Sequence, residues 1–488
     1  MKRIAAAFLL VAAALGQTLR PDPLGYSVST PRPINPAEGT TNPSAQATQS
    51  QNPFLGSVPA QSSGATIALS LQGAIERGLR YNLGLVESNH AATDVRADRL
   101  RALSTLLPQL EARARQSFED ISFKEIGIKL PPIPGFSLPP TSSGFGYQDA
   151  RISLTQNIYS RQLRSQYQAQ KNAEQASILN IEDSRDVVVF AVGTAYLEVI
   201  AGAARVETAK AQVASARELD RQTADRVTSE VSPEIDSLRA QVELQSAEQR
   251  LTNALNQFEK DKLTLGRIIG LPVDQNFVLT DRLAYHPLAG LSYETAAAEA
   301  LASRADLQSA EASVRAAEST LRAQKAQRLP IVSVSADYGG AGTNAANFNQ
   351  VYSVSGNISV PLYTGGRIHA DIEQAQADLA RRQAEYADLK GRIAYDVRIA
   401  WLDISASDSS VKVAGRNKAL AEKALTQSED RYVNGVTNFL ELVQAREAVA
   451  AASDNYIESL YSLSIAMISF ARAMGGADLR LTQLLGGK

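Results

Sequence analysis

Two stretches of this sequence, some two hundred residues apart, carry the same succession of patterns, and that duplication limits the fold more than any single motif. AYLEV from Ala195 matches AWLDI from Ala400, and Arg226 matches Arg431, both at an offset of 205. Tyr159 sits where Tyr363 sits, at 204. Upstream, ALSLQGAIERGL from Ala68 matches GLSYETAAAEAL from Gly290, and Pro108 matches Pro330, at 222. The difference between 222 and 204 gives the first copy 18 more residues between its Pro and its Tyr, an enlarged loop in an otherwise repeated unit.

Within each unit the apolar residues change period. In the second copy Tyr352, Val354, Ile358 and Val360 alternate with Ser353, Ser355, Asn357 and Ser359, a strand with one apolar and one polar face. About ten residues is the length a tilted strand needs to cross a bilayer. Pro361 cannot donate to a ladder, and Gly365 and Gly366 supply a turn, so these three mark a strand-to-helix junction. Beyond it Ile393, Val397, Ala400, Ile404, Val411 and Ala414 recur at helical spacing. Val188, Val192, Ala195, Val199, Val206 and Ala209 are the same stripe in the first copy.

Read in order, each unit predicts helix, strand, strand, long helix, return helix. The first has a helix from Ser70 to Pro108, strands around Leu110 and Ile152, a helix over 162–228 and, after Pro233, one over 234–270. The second has helices over 292–329, 367–432 and 438–474, with strands over 331–338 and 351–360. The long helices run to about 67 residues, roughly 100 Å, and the others to about 38, so that two short helices stacked end to end match one long one. Between Glu119 and Gly146 lies the enlarged loop, with Pro131, Pro132, Pro134, Pro139 and Pro140.

Residues 1–16 read as a signal peptide: Lys2 and Arg3, an apolar run too short to span a bilayer, then small residues. Residues 17–65 form a Pro- and Ser/Thr-rich extension expected to be disordered. The first repeat covers 66–285, the second 286–475, and 476–488 is a C-terminal tail. Only 6% of residues are aromatic against 44% hydrophobic, which points to Ala-rich helices. A net charge of −2 without a basic patch gives no nucleic-acid partner. The absence of Cys removes disulfides and thiol nucleophiles. His90, His286 and His369 show no metal spacing, and Gly339, Gly340 and Gly342 lead into Thr343, a hairpin loop and not a phosphate cradle. No catalytic constellation, cofactor or metal is expected, and Trp401 reads as packing.

Four membrane-length strands cannot close a barrel, since closed barrels begin at about eight. An open sheet in lipid leaves edge N–H and C=O groups unsatisfied at several kcal/mol each, so several chains must share one barrel. Two would give eight strands and three would give twelve.

The VPLYTGGR segment, RYVNG continuing as VTNFLELVQAREAV, and the duplicated element order resemble the TolC-type outer membrane efflux proteins from about Thr66 to Gly475. The resemblance implies an α+β membrane protein and a homotrimer: a twelve-stranded β-barrel in outer-membrane lipid, four strands per chain, continued by a twelve-helix α-barrel of coiled-coil helices across the periplasm. It further implies a passive exit duct of a tripartite efflux pump or type I secretion system, docked onto a periplasmic adaptor protein and an inner-membrane transporter. Asp236 and Glu441, equivalent at 205 and each just past a turn, would then form a periplasmic constriction. The bland alternative is that they complement a helix dipole. Gln444 and Thr437 depart from the family pattern. Gly435 and Val436 match the adaptor-docking tip, with Val231 the first copy's counterpart. A periplasmic coiled-coil scaffold without a pore is the rival reading; it explains the helices but not the paired strands.

Overall fold

A computed structural model of the chain describes residues 52–478 and 480, apart from 62–63, 121, 123–140, 142–143, 231, 283 and 286–291. The expected signal peptide, most of the extension and tail, nearly all of the enlarged loop, and Val231 lie outside the described residues. The first repeat comprises β1 (Ile67–Leu69), α1 (Leu71–Tyr81), α2 (Leu83–Ser104), β2 (Gln109–Glu119), β3 (Phe145–Tyr159), α3 (Arg161–Thr228), α4 (Glu234–Ile268) and β4 (Phe277–Leu279). The second comprises α5 (Tyr293–Ser303), α6 (Ala305–Ala326), β5 (Ile331–Gly342), β6 (Phe348–Ser359), α7 (Arg367–Val433) and α8 (Phe439–Met474).

The helices expected from Ser70 to Pro108 and over 292–329 are each broken into two. Asn82 is extended at φ −63°, ψ 131°; its N–H still closes α1 on Gly78 O, while its side chain accepts from Gly84 N and opens α2. Arg304, 222 positions later, repeats the break at φ −63°, ψ 124°. There no side chain caps the helix from the N-cap position; Asp306, in the first turn, accepts from Leu307 N at 2.8 Å and pairs with Arg304. One extended residue redirects the chain without disturbing the apolar spacing on either side, so periodicity alone runs through it.

The extension also ends earlier than expected. Pro53–Leu55 form a 3-10 turn, Val58 N donates to Tyr81 O at 2.8 Å and Ala60 N to Gly270 O at 3.0 Å. Phe54 packs on the core beneath this strap.

The apolar stripe of each long helix is its buried face. Val188, Val192 and Val199 in α3, and Ile393, Val397 and Ile404 in α7, are all at 0% exposure. Each such side chain contributes about 1.5–3 kcal/mol. The α3 stripe meets Ala74, Leu265 and Ile468, and the α7 stripe meets Ala296, Leu463 and Phe470. Along α3, α2 lies beside the first half, with Ser88 Oγ 2.7 Å from Ser184 Oγ and Arg99 paired to Glu174. The second half lies beside α4, with Arg217 paired to Glu248. Along α7, α6 lies beside the start, joined by Gln327 and Asp371, and α8 beside the end, joined by Arg446 and Glu429.

Four strands form one antiparallel sheet in the order β2-β3-β5-β6. The register sets Ala112 opposite Ile152, Ile152 opposite Tyr338, and Tyr338 opposite Tyr352. Strand alternation therefore gathers Leu110, Ile152, Leu154, Ala336, Tyr352, Val354 and Ile358 onto one continuous apolar face. Tyr352 is 79% and Val354 73% exposed. The opposite face is polar: Ser153 and Ser353 both donate to Asp337, at 2.6 and 2.9 Å, and Arg151 pairs with Asp149 at 2.7 Å. The glycines expected in a hairpin loop end β5 instead, and the turn follows at Ala345–Asn347. Neither β2 nor β6 has a second strand partner among the described residues.

Candidate functional site

The two junctions out of the sheet differ. After β3 a single residue, Ser160, suffices, its hydroxyl accepting from Leu163 N at 3.2 Å to open α3. After β6 the chain takes the expected longer route through Pro361 to Gly365 and Gly366, which hold φ 61° and 85°, and Gly366 is the N-cap of α7. Leu362 and Tyr363, 93% and 91% exposed, project between them.

About 100 Å away by the length of α3 and α7, the two helical hairpins reverse. The α7–α8 turn is a Schellman motif: Gly435 N donates to Tyr432 O at 3.1 Å and Val436 N to Arg431 O at 2.8 Å. This requires the left-handed conformation that Gly435 adopts at φ 69°. In the α3–α4 turn the equivalent residue is Glu230, held at φ 57°, the sole non-glycine at positive φ among the described residues. Its N–H bonds to Val227 O at 3.0 Å, the same contact in the same place. Val436 is exposed at the tip, as an adaptor contact would require.

Both candidate carboxylates sit in the first turn of a return helix, where the peptide dipoles favour negative charge. They are held differently. Glu441 is bound within its own hairpin: Arg431 Nη1 lies 3.1 Å from its Oε1, and Thr437 Oγ1 donates to Oε2. Asn438 caps the same turn by accepting from Glu441 N at 3.0 Å. Asp236 pairs with Arg239 on the next turn of α4, at 3.7 Å. Arg226, the duplicate of Arg431, does not turn to Asp236. It reaches across to the other hairpin, donating to Val433 O at 3.1 Å with its guanidinium 4.8 Å from the centroid of the Tyr432 ring.

Beneath these groups Leu219, Ala240, Phe439 and Leu442 form a small core joining the hairpin ends, with Tyr432 edge-on to Phe439 at 5.9 Å. One step farther in, Arg446 of α8 donates to Ser215 of α3 and pairs with Glu429 at 2.8 Å. Burial pushes its guanidinium down from the ordinary value against the charges of Glu429 and Glu243. The far ends are thus cross-linked by Arg226 and Arg446. Sequence reading missed both, because nothing local marks a side chain that bridges helices two hundred residues apart. The Arg226–Arg431 equivalence was the available signal.

Among the described residues no three His, Cys, Asp or Glu side chains lie together as a metal site. What the tip offers is electrostatic: carboxylates at helix N-termini, each paired with an arginine.

Compared with known proteins, the chain matches the outer membrane efflux protein family over residues 75–271 and 296–476. It is 25% identical over 348 residues to the pyoverdine export outer membrane protein OpmQ of Pseudomonas putida, covering 69% of this chain and 71% of that one. To the alkaline protease secretion protein AprF of Pseudomonas aeruginosa it is 24% identical over 341 residues, 68% of this chain and 70% of that one. The solved Campylobacter jejuni CmeC outer membrane channel superposes with a TM-score of 0.72 at 17% identity, over 90% of this chain and 94% of that chain.

Proposed function

This chain belongs to the outer membrane efflux protein family, and on that premise we propose how its geometry makes an exit duct. The protein is an outer-membrane duct whose helical part lies in the periplasm, and channels of this type work with adaptor and inner-membrane partners. Three copies close the duct. Closure by several copies is supported by the sheet, with its continuous apolar face, polar face and two edges without strand partners among the described residues, and the number three follows from the likeness to TolC-type channels. Three such sheets joined edge to edge give a twelve-stranded barrel with the apolar face toward lipid and the Asp337–Ser153–Ser353 face toward the lumen. The long helices continue below as a tube of twelve.

The hairpin ends form the inner mouth. In a trimer Asp236 and Glu441 bring six carboxylates to a narrow rim, favouring cations over anions and giving divalent ions a place to block. Arg226 and Arg431 restrain this rim, and opening requires Arg226 to leave Val433 and Tyr432. Gly435 and Val436 present the tip to a periplasmic adaptor, and Val231 is assigned the same role in the first hairpin. Cargo selection belongs to the inner-membrane transporter; OpmQ is named for pyoverdine export and AprF for alkaline protease secretion, and one passive conduit serves either class.

The test is physical. Detergent-extracted protein should fractionate with outer membranes, run as a trimer by light scattering, and conduct across planar bilayers with block by divalent cations. A water-soluble, non-conducting species would favour the scaffold reading instead.

A further inference from the structure

The duplication pairs a residue of the first helix with one just beyond the return helix, and the two copies treat that pair differently. In the second copy the pair is Glu299 on α5 and Arg480, joined by an ion pair of 2.6 Å. Position 299 corresponds to 77 at the upstream offset of 222, and position 480 to 275 at the downstream offset of 205. Gly475 and Gly270, also 205 apart, enter the two segments with matching left-handed φ of 79° and 74°. The first copy therefore places Arg77 and Gln275 where the second places Glu299 and Arg480. The charge at the helix position is reversed, and the residue facing it is neutral.

A cavity of about 560 Å³ opens at that place, lined by Pro59, Ala60, Tyr81, Leu271, Arg77 and Gln275 among others. Among the described residues Arg77 is its only charged lining residue. The guanidinium stands 5.5 Å from the centroid of the Tyr81 ring, and its Nε is buried without a hydrogen-bond partner. Five other sheltered arginines each hold a carboxylate: Arg99 with Glu174, Arg205 with Glu198, Arg304 with Asp306, Arg446 with Glu429 and Arg472 with Asp183. Arg77 has no ion-pair partner among the described residues. Gln275 is itself 7% exposed, and its Nε2 is committed to Ala65 O at 2.5 Å and Asn276 O at 3.1 Å. The strap over 58–60 fixes one wall by its bonds to Tyr81 and Gly270.

We propose that this cavity is a binding site for a small carboxylate, which supplies to Arg77 the counter-charge that the second copy builds in as the Glu299–Arg480 pair. The volume suits a molecule of metabolite size, and a carboxylate is the planar partner that a guanidinium takes in two parallel hydrogen bonds. Leu271, Ile67 and Pro59 add apolar surface beside that contact.

Succinate is the probe, with inorganic phosphate and chloride at equal ionic strength as the other arms. Equilibrium dialysis of labelled succinate against the detergent-solubilised full chain should show saturable binding that chloride does not compete away. Arg77→Gln should weaken it about tenfold or more, as loss of a charge-assisted pair does. Arg80→Gln, an equal charge change on an exposed residue of the same helix, should leave it intact. Gln275→Glu should abolish binding, because it sets a fixed carboxylate in the cavity beside Arg77. Competition by phosphate as strong as by succinate would replace the carboxylate with a general oxyanion and overturn that assignment. Absence of saturable binding, or equal loss in Arg77→Gln and Arg80→Gln, would overturn the site.

Discussion

Glu230 holds a backbone conformation that its counterpart Gly435 adopts freely, so the two hairpin turns carry unequal strain. A left-handed residue with a Cβ costs about 1–2 kcal/mol, partly offset by the greater unfolded freedom of glycine. Glu230→Gly should slow hydrogen exchange of the α3–α4 turn amides about two- to fivefold, and Gly435→Ala should speed exchange in the α7–α8 turn by as much. Faster exchange after Glu230→Gly would mean that its side chain, not its backbone, sets the turn. At the mouth, Glu441→Ala with Asp236→Ala should relieve divalent block of conductance in planar bilayers; unchanged block would remove the carboxylates from the gate. Arg226→Ala should raise conductance with block intact, since it frees a hairpin and leaves the acids in place. At the second helix break, burial works to raise the Asp306 pKa, but the hydrogen bonds and charge of Arg304 outweigh it and hold the carboxyl below its ordinary value. A depressed folded pKa means that the stabilisation is present above the unfolded value, about 3.9, and fades as pH falls through the folded one. Asp306→Asn should therefore melt below wild type at pH 7, with the gap closing below about pH 4. A gap independent of pH would deny the ion pair that role.

Among the elements, those with long, uninterrupted patterns were legible in the sequence. Strand alternation found all four strands of the sheet, and the 3.6-residue stripe found α3, α7 and the face each buries, because both signals are repeated many times over. The breaks at Asn82 and Arg304 were not legible. Asn82 caps α2 from a fully buried position, and its Nδ2 donates to Phe54 O at 2.8 Å, a contact made across 28 residues. The strap containing Phe54 looked like polar extension for the complementary reason: its order comes largely from backbone bonds to Tyr81 and Gly270, with Phe54 as a single apolar anchor. The cross-hairpin reach of Arg226 was hidden in the same way, since only the folded chain sets it beside Tyr432. Asn82→Ala should lower the thermal midpoint, the cap alone being worth about 1 kcal/mol. Loss of order confined to 52–60, seen as new protease cleavage there, would trace the effect to the strap.

For the whole molecule, the two faces of the sheet make opposite demands. Arg in place of Val354 would carry a charge into hydrocarbon at about 2–4 kcal/mol near mid-bilayer, and each copy of the proposed trimer would bear that cost. Val354→Arg should therefore abolish assembly in the outer membrane, judged by detergent-resistant trimer on gels. Ser355→Arg, its neighbour on the polar face, should assemble and lower conductance. Equal tolerance at both positions would reverse or erase the assignment of faces.

The unlike use of Arg226 and Arg431 bears on symmetry. In the proposed trimer, six hairpins set around an axis by a duplicated chain invite a hexagon, yet one arginine is spent inside its own hairpin and the other on the neighbouring hairpin of the same chain. The opening they surround is then triangular in its bonding, with three gaps bridged inside a chain by Arg226 and Arg446 alternating with three gaps between chains. A docking protein arriving at that end meets two kinds of notch, and need release only one kind to widen the passage.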